Sequence, residues 1–294
     1  MQADESFNLP ELIVGCVTLT VFFGSLLLWL IWSVRKFRQP AALPELPLRP
    51  WAIGWLNFGI FICGLIGLIF VVQSVVWIFY GLIPDSKSSE VWTMVFGALT
   101  LQSSFLIGYY SCRRYFPMLF KGNLSSHEMG AGRALLSAIP FFIRTLPLVG
   151  LIAFLWTTLL NWIVANQWLD SIQPQEAVLV FANSQSPVAL TLLAFFAIIL
   201  APIAEEVIFR GCIYRFLKSK LRPQAAMLLS AIVFGSIHGN LMAFVPLTFV
   251  GFLLAYTYEK ERNLLVPIFY HGLFNLFTLS MTILHVLSGN ELPY

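Results

Sequence analysis

Residues 188–210 read VALTLLAFFAIILAPIAEEVIFR. The first seventeen carry no charge, close to the ~20 apolar residues that a helix needs to cross a bilayer. Then Glu205, Glu206 and Arg210 follow within one and a half turns. An apolar run that ends on three ionisable groups reads as a membrane helix carrying polar machinery. The rest of the chain agrees. Of 294 residues, 59% are hydrophobic and 11% charged, 27 are Phe, and the mean hydropathy is +0.82. A soluble domain is about 45–50% apolar and about 25% charged. This composition cannot cover its own surface with polar groups, which excludes a soluble fold, a disordered chain and a coiled coil. A net charge of +3 offers no basic surface for nucleic acid.

Working outward from that stretch, eight apolar runs are candidate spans: Leu12–Val34, Ala52–Tyr80, Val91–Tyr110, Leu146–Asn166, Val188–Phe209, Gln224–Gly239, Leu241–Tyr258 and Val266–Leu287. The sixth is the shortest. Pro267 suits a first helical turn, whereas Pro202 and Pro246 lie inside spans and predict kinks. Every Lys and Arg except Lys87 falls on alternate connecting segments, at 35–49, 113–144, 210–222 and 260–262. By the positive-inside rule those segments face the cytoplasm, which puts both termini outside. Asp4, Glu5 and Glu11 precede the first run, and Arg35 and Lys36 follow it, which is the charge order of a retained anchor rather than a cleaved signal.

The expected architecture is all-α: a polytopic membrane protein of about eight transmembrane helices. Residues 1–145 hold helices 1–3 and an amphipathic inner segment at Leu124–Arg144. Residues 146–294 hold helices 4–8. Cys16, Cys63, Cys112 and Cys212 are widely spaced and read as hydrophobic thiols, not as a disulfide or metal framework.

A charge at the bilayer centre costs roughly 2.5–3.5 kcal/mol on insertion scales, so buried ionisable residues ask for a reason. They cluster in the last third of the chain. On a helix, Glu206 and Arg210 are four apart in the better order for an ion pair, and Glu205 points about 100° away. The spacing predicts that Arg210 neutralises Glu206 and leaves Glu205 for another task. His238, in FGSIHGN, precedes a Gly-Asn pair that can end its helix and open the backbone beside the imidazole. His271 and Asn275 share one face of the eighth span, and both can donate hydrogen bonds to a common point. At 1.5 Å per residue Glu205 lies about 16 Å from the inner boundary, His271 to Asn275 about 10–16 Å and His238 about 22 Å, so His238 fits a common site least well. His127 and His285 match no pattern and read as solvated or interfacial.

EExxxR (Glu205, Glu206, Arg210), FxxxH (Phe234, His238) and HxxxN (His271, Asn275) together resemble the three motifs of the CPBP family of intramembrane proteases. That family includes the type 2 CAAX prenyl endopeptidases and the bacterial Abi and lysostaphin-resistance-like proteins. The likeness covers about residues 188–287. It implies an intramembrane endopeptidase in which Glu205 and His238 activate water, His271 and Asn275 stabilise the oxyanion, and Glu206 and Arg210 support the site. Family members have also been called metalloproteases. On that alternative Glu205, His238 and His271 would be zinc ligands, but the HExxH helix of ordinary zinc proteases is absent and a metal-free mechanism with no cofactor is expected. The implied partners are the lipid bilayer and a peptide or protein substrate, lipidated or not, in a prokaryotic plasma membrane.

Two other classes compete. A proton-coupled transporter also buries Glu, His and Arg, but carriers repeat their polar helices in both halves, and here all the buried charge lies in one. A non-catalytic immunity or scaffold relative would not need an intact set of polar residues.

Overall fold

A computed structural model describes residues 9–38, 48–80, 89–120, 124–125, 127–169 and 186–287, with 171–172, 176, 179–180 and 184 between them. Among these residues the chain is helical and contains no strand. Asp4, Glu5, Lys87 and Lys121, which entered the charge reading, lie outside the described residues. The helices are α1 (Leu9–Arg38), α2 (Trp55–Tyr80), α3 (Ser89–Tyr115), α4 (Ala131–Ala165), α5 (Pro187–Lys218), α6 (Pro223–Ser236), α7 (Leu241–Glu261) and α8 (Leu265–Leu287). Seven are long and apolar enough to cross a membrane. The exception is α6, whose 14 residues extend only about 21 Å against a hydrocarbon core of about 30 Å. The sixth expected span is therefore present as a helix but is too short to cross alone, and it ends before His238.

Local chemistry explains the boundaries. Ser186 caps α5, its hydroxyl accepting from the Ala189 amide, and Pro187 occupies the first turn. Asn240 caps α7 by accepting from Ala243 N–H at 2.9 Å. Gly239 has φ +60°, a left-handed value that glycine adopts without a Cβ penalty, so the GN pair does break the helix and turn the chain. Of the inner segment expected at Leu124–Arg144, residues 131–144 are continuous with the fourth span: α4 runs unbroken through Pro140 and Pro147.

α6 and α7 form an antiparallel hairpin so close that a Cβ on Gly235 would stand 2.3 Å from Thr248 Oγ1 and 2.9 Å from Phe244 O. Small residues at such contacts let membrane helices approach backbone to backbone. Exposed apolar side chains occur on every helix and are most frequent on α1 and α2, where Leu19, Phe23, Leu30, Leu56, Phe70 and Ile78 are among them. This exposure is what lipid rather than water as solvent permits.

Among the described residues, parts of all four basic segments meet at one end of the bundle, although Arg144 lies thirteen residues into α4 beside Trp29 and His285. Lys218 Nζ pairs with Glu259 Oε1 at 2.5 Å and donates to Leu48 O at 2.9 Å. Arg215 Nε donates to Arg49 O, and Trp51 N–H returns to Arg215 O. Asn263 Nδ2 donates to His127 O, and Leu264 N–H to Ser125 Oγ. Residues 48–51, 125, 127, 215–218 and 259–264 thus meet on one side, as the alternation of charge requires. Short as it is, α6 still reverses the chain direction. His127 is exposed at this end. His285 lies in a cleft of about 850 Å³ between α1, α4 and α8 that also touches Trp29, Arg144 and Met281. All four cysteines are free, and Cys212 is buried.

Candidate active site

The site is built around the middle of α5. Phe196–Leu200 and Val207–Tyr214 are π-helical, and the ordinary α turn Ala201–Glu206 between them carries both glutamates. The kink expected at Pro202 is absorbed here. Pro202 has no N–H, and in the wide pattern, where Ala201 N–H reaches Phe196 O, the next donor would serve Ala197 O. Asn275 of α8 supplies that donor: its Nδ2 lies 2.8 Å from Ala197 O. Gly272, one turn earlier on α8, lets the same π segment approach, since a Cβ there would stand 2.8 Å from Ile198 O.

Glu206 and Arg210 are both fully buried, and Arg210 Nη1 donates to Glu206 Oε1 at 2.7 Å. Arg210 Nη2 donates to Gly251 O on α7, and its guanidinium lies 4.5 Å over the Phe234 ring. This is the ion pair the spacing predicts. A buried pair is costly unless further bonds satisfy both ions, and the Gly251 carbonyl and the aromatic face supply part of that.

His271 Nδ1 lies 3.0 Å from Glu206 Oε1, while its Nε2 faces Glu205 Oε2 across 3.9 Å. A carboxylate that already accepts from Arg210 can only accept, so Nδ1 is assigned as the donor and Nε2 is left toward Glu205. Glu205 is 9% exposed. Its Oε1 accepts from Gln102 Nε2 of α3 at 3.1 Å. Glu205, Glu206, Arg210 and His271 therefore form one buried cluster, with Glu205 the carboxylate that has no cationic partner at hydrogen-bond distance.

His238 stands apart. It lies in the 237–240 connection beyond α6, partly exposed, with Nδ1 2.8 Å from Phe234 O. A carbonyl can only accept, so Nδ1 donates and Nε2 is the free acceptor. The Phe234 ring sits between the two histidines, 4.9 Å from His238 and 5.7 Å from His271 by centroids. Asn275 shares the His271 face, as expected, but one of its amide protons is committed to Ala197.

Gln102 escaped a search for charge because it is neutral. A lone amide at the middle of an otherwise apolar span was the available signal. Phe234 was recognised as part of a motif, but its contacts with two histidines and Arg210 depend on the hairpin.

Glu205, His238 and His271 do not come together as metal ligands: among the described residues no group of three or more His, Cys, Asp or Glu could hold an ion. The donor set in this arrangement does not fit a three-ligand zinc site, and no chemical step is derived through one.

Residues 187–277 match the family model described as type II CAAX prenyl endopeptidase Rce1-like. Over this segment the chain is similar to the Rce1-like family. The segment runs from the start of α5 into α8 and contains all six charged and polar residues of the three motifs. Over 93 residues the chain is 36% identical to the Bacillus subtilis (strain 168) protein named "Putative membrane peptidase YdiL". That similarity covers 32% of this chain and 38% of the relative, so the match spans well under half of either protein. No solved structure matches the chain. Helices α1–α4, and Gln102 with them, lie outside the Rce1-like segment.

Proposed function

We propose that this multi-pass membrane protein is an intramembrane endopeptidase that hydrolyses a peptide bond of a membrane-associated or lipidated substrate. The observation that carries the reading is the asymmetry of the glutamate pair. Glu206 Oε1 takes both Arg210 Nη1 and His271 Nδ1, so this carboxylate is paired with a buried cation although its Oε2 has no hydrogen-bond partner, whereas Glu205 keeps one oxygen, Oε2, turned toward His271 Nε2 with no cation at hydrogen-bond distance. A general base needs a carboxylate that is held in place but not neutralised.

In this reading Glu205 takes a proton from water as the hydroxyl oxygen bonds to the scissile carbonyl carbon, and His238 Nε2 helps to hold that water. The negative charge moves to the carbonyl oxygen. His271, when doubly protonated, donates to it from Nε2 while Glu206 holds Nδ1, and the second amide proton of Asn275 is the other donor. Collapse breaks the C–N bond, and the proton on Glu205 passes to the leaving amine. His238 has to approach Glu205 for its part, and its place in a four-residue connection gives it that latitude. A metal-dependent alternative requires the same movement to complete a ligand set.

The test is cleavage of a library of quenched fluorescent peptides, with and without a C-terminal prenyl-cysteine, by the wild type and Glu205→Ala in liposomes, before and after chelation. The expected result is cleavage that survives chelation and disappears in Glu205→Ala. Loss on chelation with recovery on zinc would replace the glutamate mechanism by a metal one. Cleavage by Glu205→Ala at the wild-type rate would overturn the assignment of the base.

A further inference from the structure

Gln102 comes from α3, 103 positions before Glu205 and outside the Rce1-like segment. It sits at the middle of the 27-residue helix and is 5% exposed. Its Nε2 donates to Glu205 Oε1 at 3.1 Å, and its own Oε1 is buried without a hydrogen-bond partner. An unsatisfied amide oxygen in an apolar interior carries an uncompensated desolvation penalty, which a packing residue such as Leu or Met at the same place would avoid. The neighbouring Ser104 is also buried, but it satisfies itself on Thr100 O of its own helix. Only Gln102, of the two, reaches across to the cluster.

From this geometry we infer that Gln102 is a positioning residue for Glu205, holding Oε1 so that Oε2 alone faces the reacting water. A neutral donor suits the task. It fixes the carboxylate rotamer by one hydrogen bond without supplying the positive charge that makes Glu206 a poor base. The two oxygens of Glu205 are thereby made unequal. Oε1 is occupied by α3, and Oε2 faces His271 Nε2. The inference rests on the protease reading above for its catalytic part, and on the contact alone for its structural part.

The experiment uses the full chain in detergent with Gln102→Met, Glu205→Ala and the double variant. Unfolding midpoints of the four proteins form a cycle that needs no substrate. Gln102→Met is expected to shift the midpoint differently in the wild-type and Glu205→Ala backgrounds, more favourably in the second, where the amide has lost its partner, and equal (additive) shifts would overturn the contact. With a peptide that the wild type cleaves, Gln102→Met is expected to lower kcat roughly 10- to 100-fold, as loss of orientation does, with KM within twofold. A kcat equal to wild type, with Glu205→Ala inactive, would overturn the positioning role while leaving the protease reading intact. An active Glu205→Ala would overturn the reading of the base, and the cycle would still report whether Gln102 holds that side chain.

Discussion

Oε1 of Glu206 receives Nδ1 of His271 at 3.0 Å, joining two residues 65 positions apart. The same oxygen takes Arg210 Nη1 at 2.7 Å. One carboxylate oxygen therefore ties the end of α5's central turn to α8 and to a buried cation. The second motif glutamate works as a structural anion, and the first is released from that duty.

Removing the cation leaves Glu206 buried and uncompensated. Arg210→Met is expected to cost about 3–5 kcal/mol of stability, the penalty for breaking a buried pair from one side. Glu206→Gln/Arg210→Met, which removes both charges, is expected to recover part of it. Thermal unfolding in detergent reads both. A double variant no more stable than Arg210→Met alone would contradict the pairing.

Asn275 serves the backbone as well as any oxyanion. Asn275→Ala strands Ala197 O beside Pro202 and is expected to cost about 1–3 kcal/mol. Pro202→Ala returns a backbone N–H, so the double variant is expected to regain stability. Its peptide cleavage is expected to stay low because the proposed oxyanion donor is still missing. Full recovery of cleavage in the double variant would reduce Asn275 to a purely structural residue.

The α6–α7 hairpin depends on Gly235. With Phe244 O 2.9 Å from a would-be Cβ, the obstacle is backbone and cannot simply rotate away. Gly235→Ala is expected to destabilise by about 1–3 kcal/mol, the usual penalty of overpacking. The hairpin carries both Gly251, which holds Arg210, and Phe234. Unfolding stability within a few tenths of a kcal/mol of wild type would show that the helices separate freely.

The basic end of the bundle is expected to face the cytoplasm. In a background lacking Cys16, Cys63, Cys112 and Cys212, single cysteines replace exposed Asn166 and exposed Arg222, which lie on opposite connecting sides. A membrane-impermeant maleimide on intact cells is expected to label Asn166→Cys at once and Arg222→Cys only after permeabilisation. The reverse pattern would invert the topology.

The parts of this site that were legible beforehand are those set by short-range helix arithmetic. Glu206 and Arg210 are four apart, and so are His271 and Asn275, so one helical turn suffices to pair or align them. The break at Gly239-Asn240 was equally local. What escaped depended on partners far along the chain or on departures from α geometry. Gln102 is neutral, and its acceptor is 103 positions away. The bond from Asn275 to Ala197 follows from the π segment that accommodates Pro202, which a 3.6-residue count does not anticipate. His238 was placed in a span because Gln224–Gly239 is mostly apolar and carries no Asp, Glu, Lys or Arg, although the chain had already turned by then.

The order in which the ribosome delivers these pieces has a consequence of its own. Glu206 and Arg210 emerge within a single turn of α5, so the charges can neutralise each other while that helix is entering the bilayer, before α6, α7 and α8 have been made. Glu205 waits longer. Gln102 was synthesised well before it, but His271 arrives on the last helix described. A nascent chain halted after α7 would hold a stable ion pair and an incomplete cluster. If the protease reading holds, hydrolytic competence would begin only when α8 is laid against the π segment, and a partly inserted chain would be harmless to the membrane that receives it.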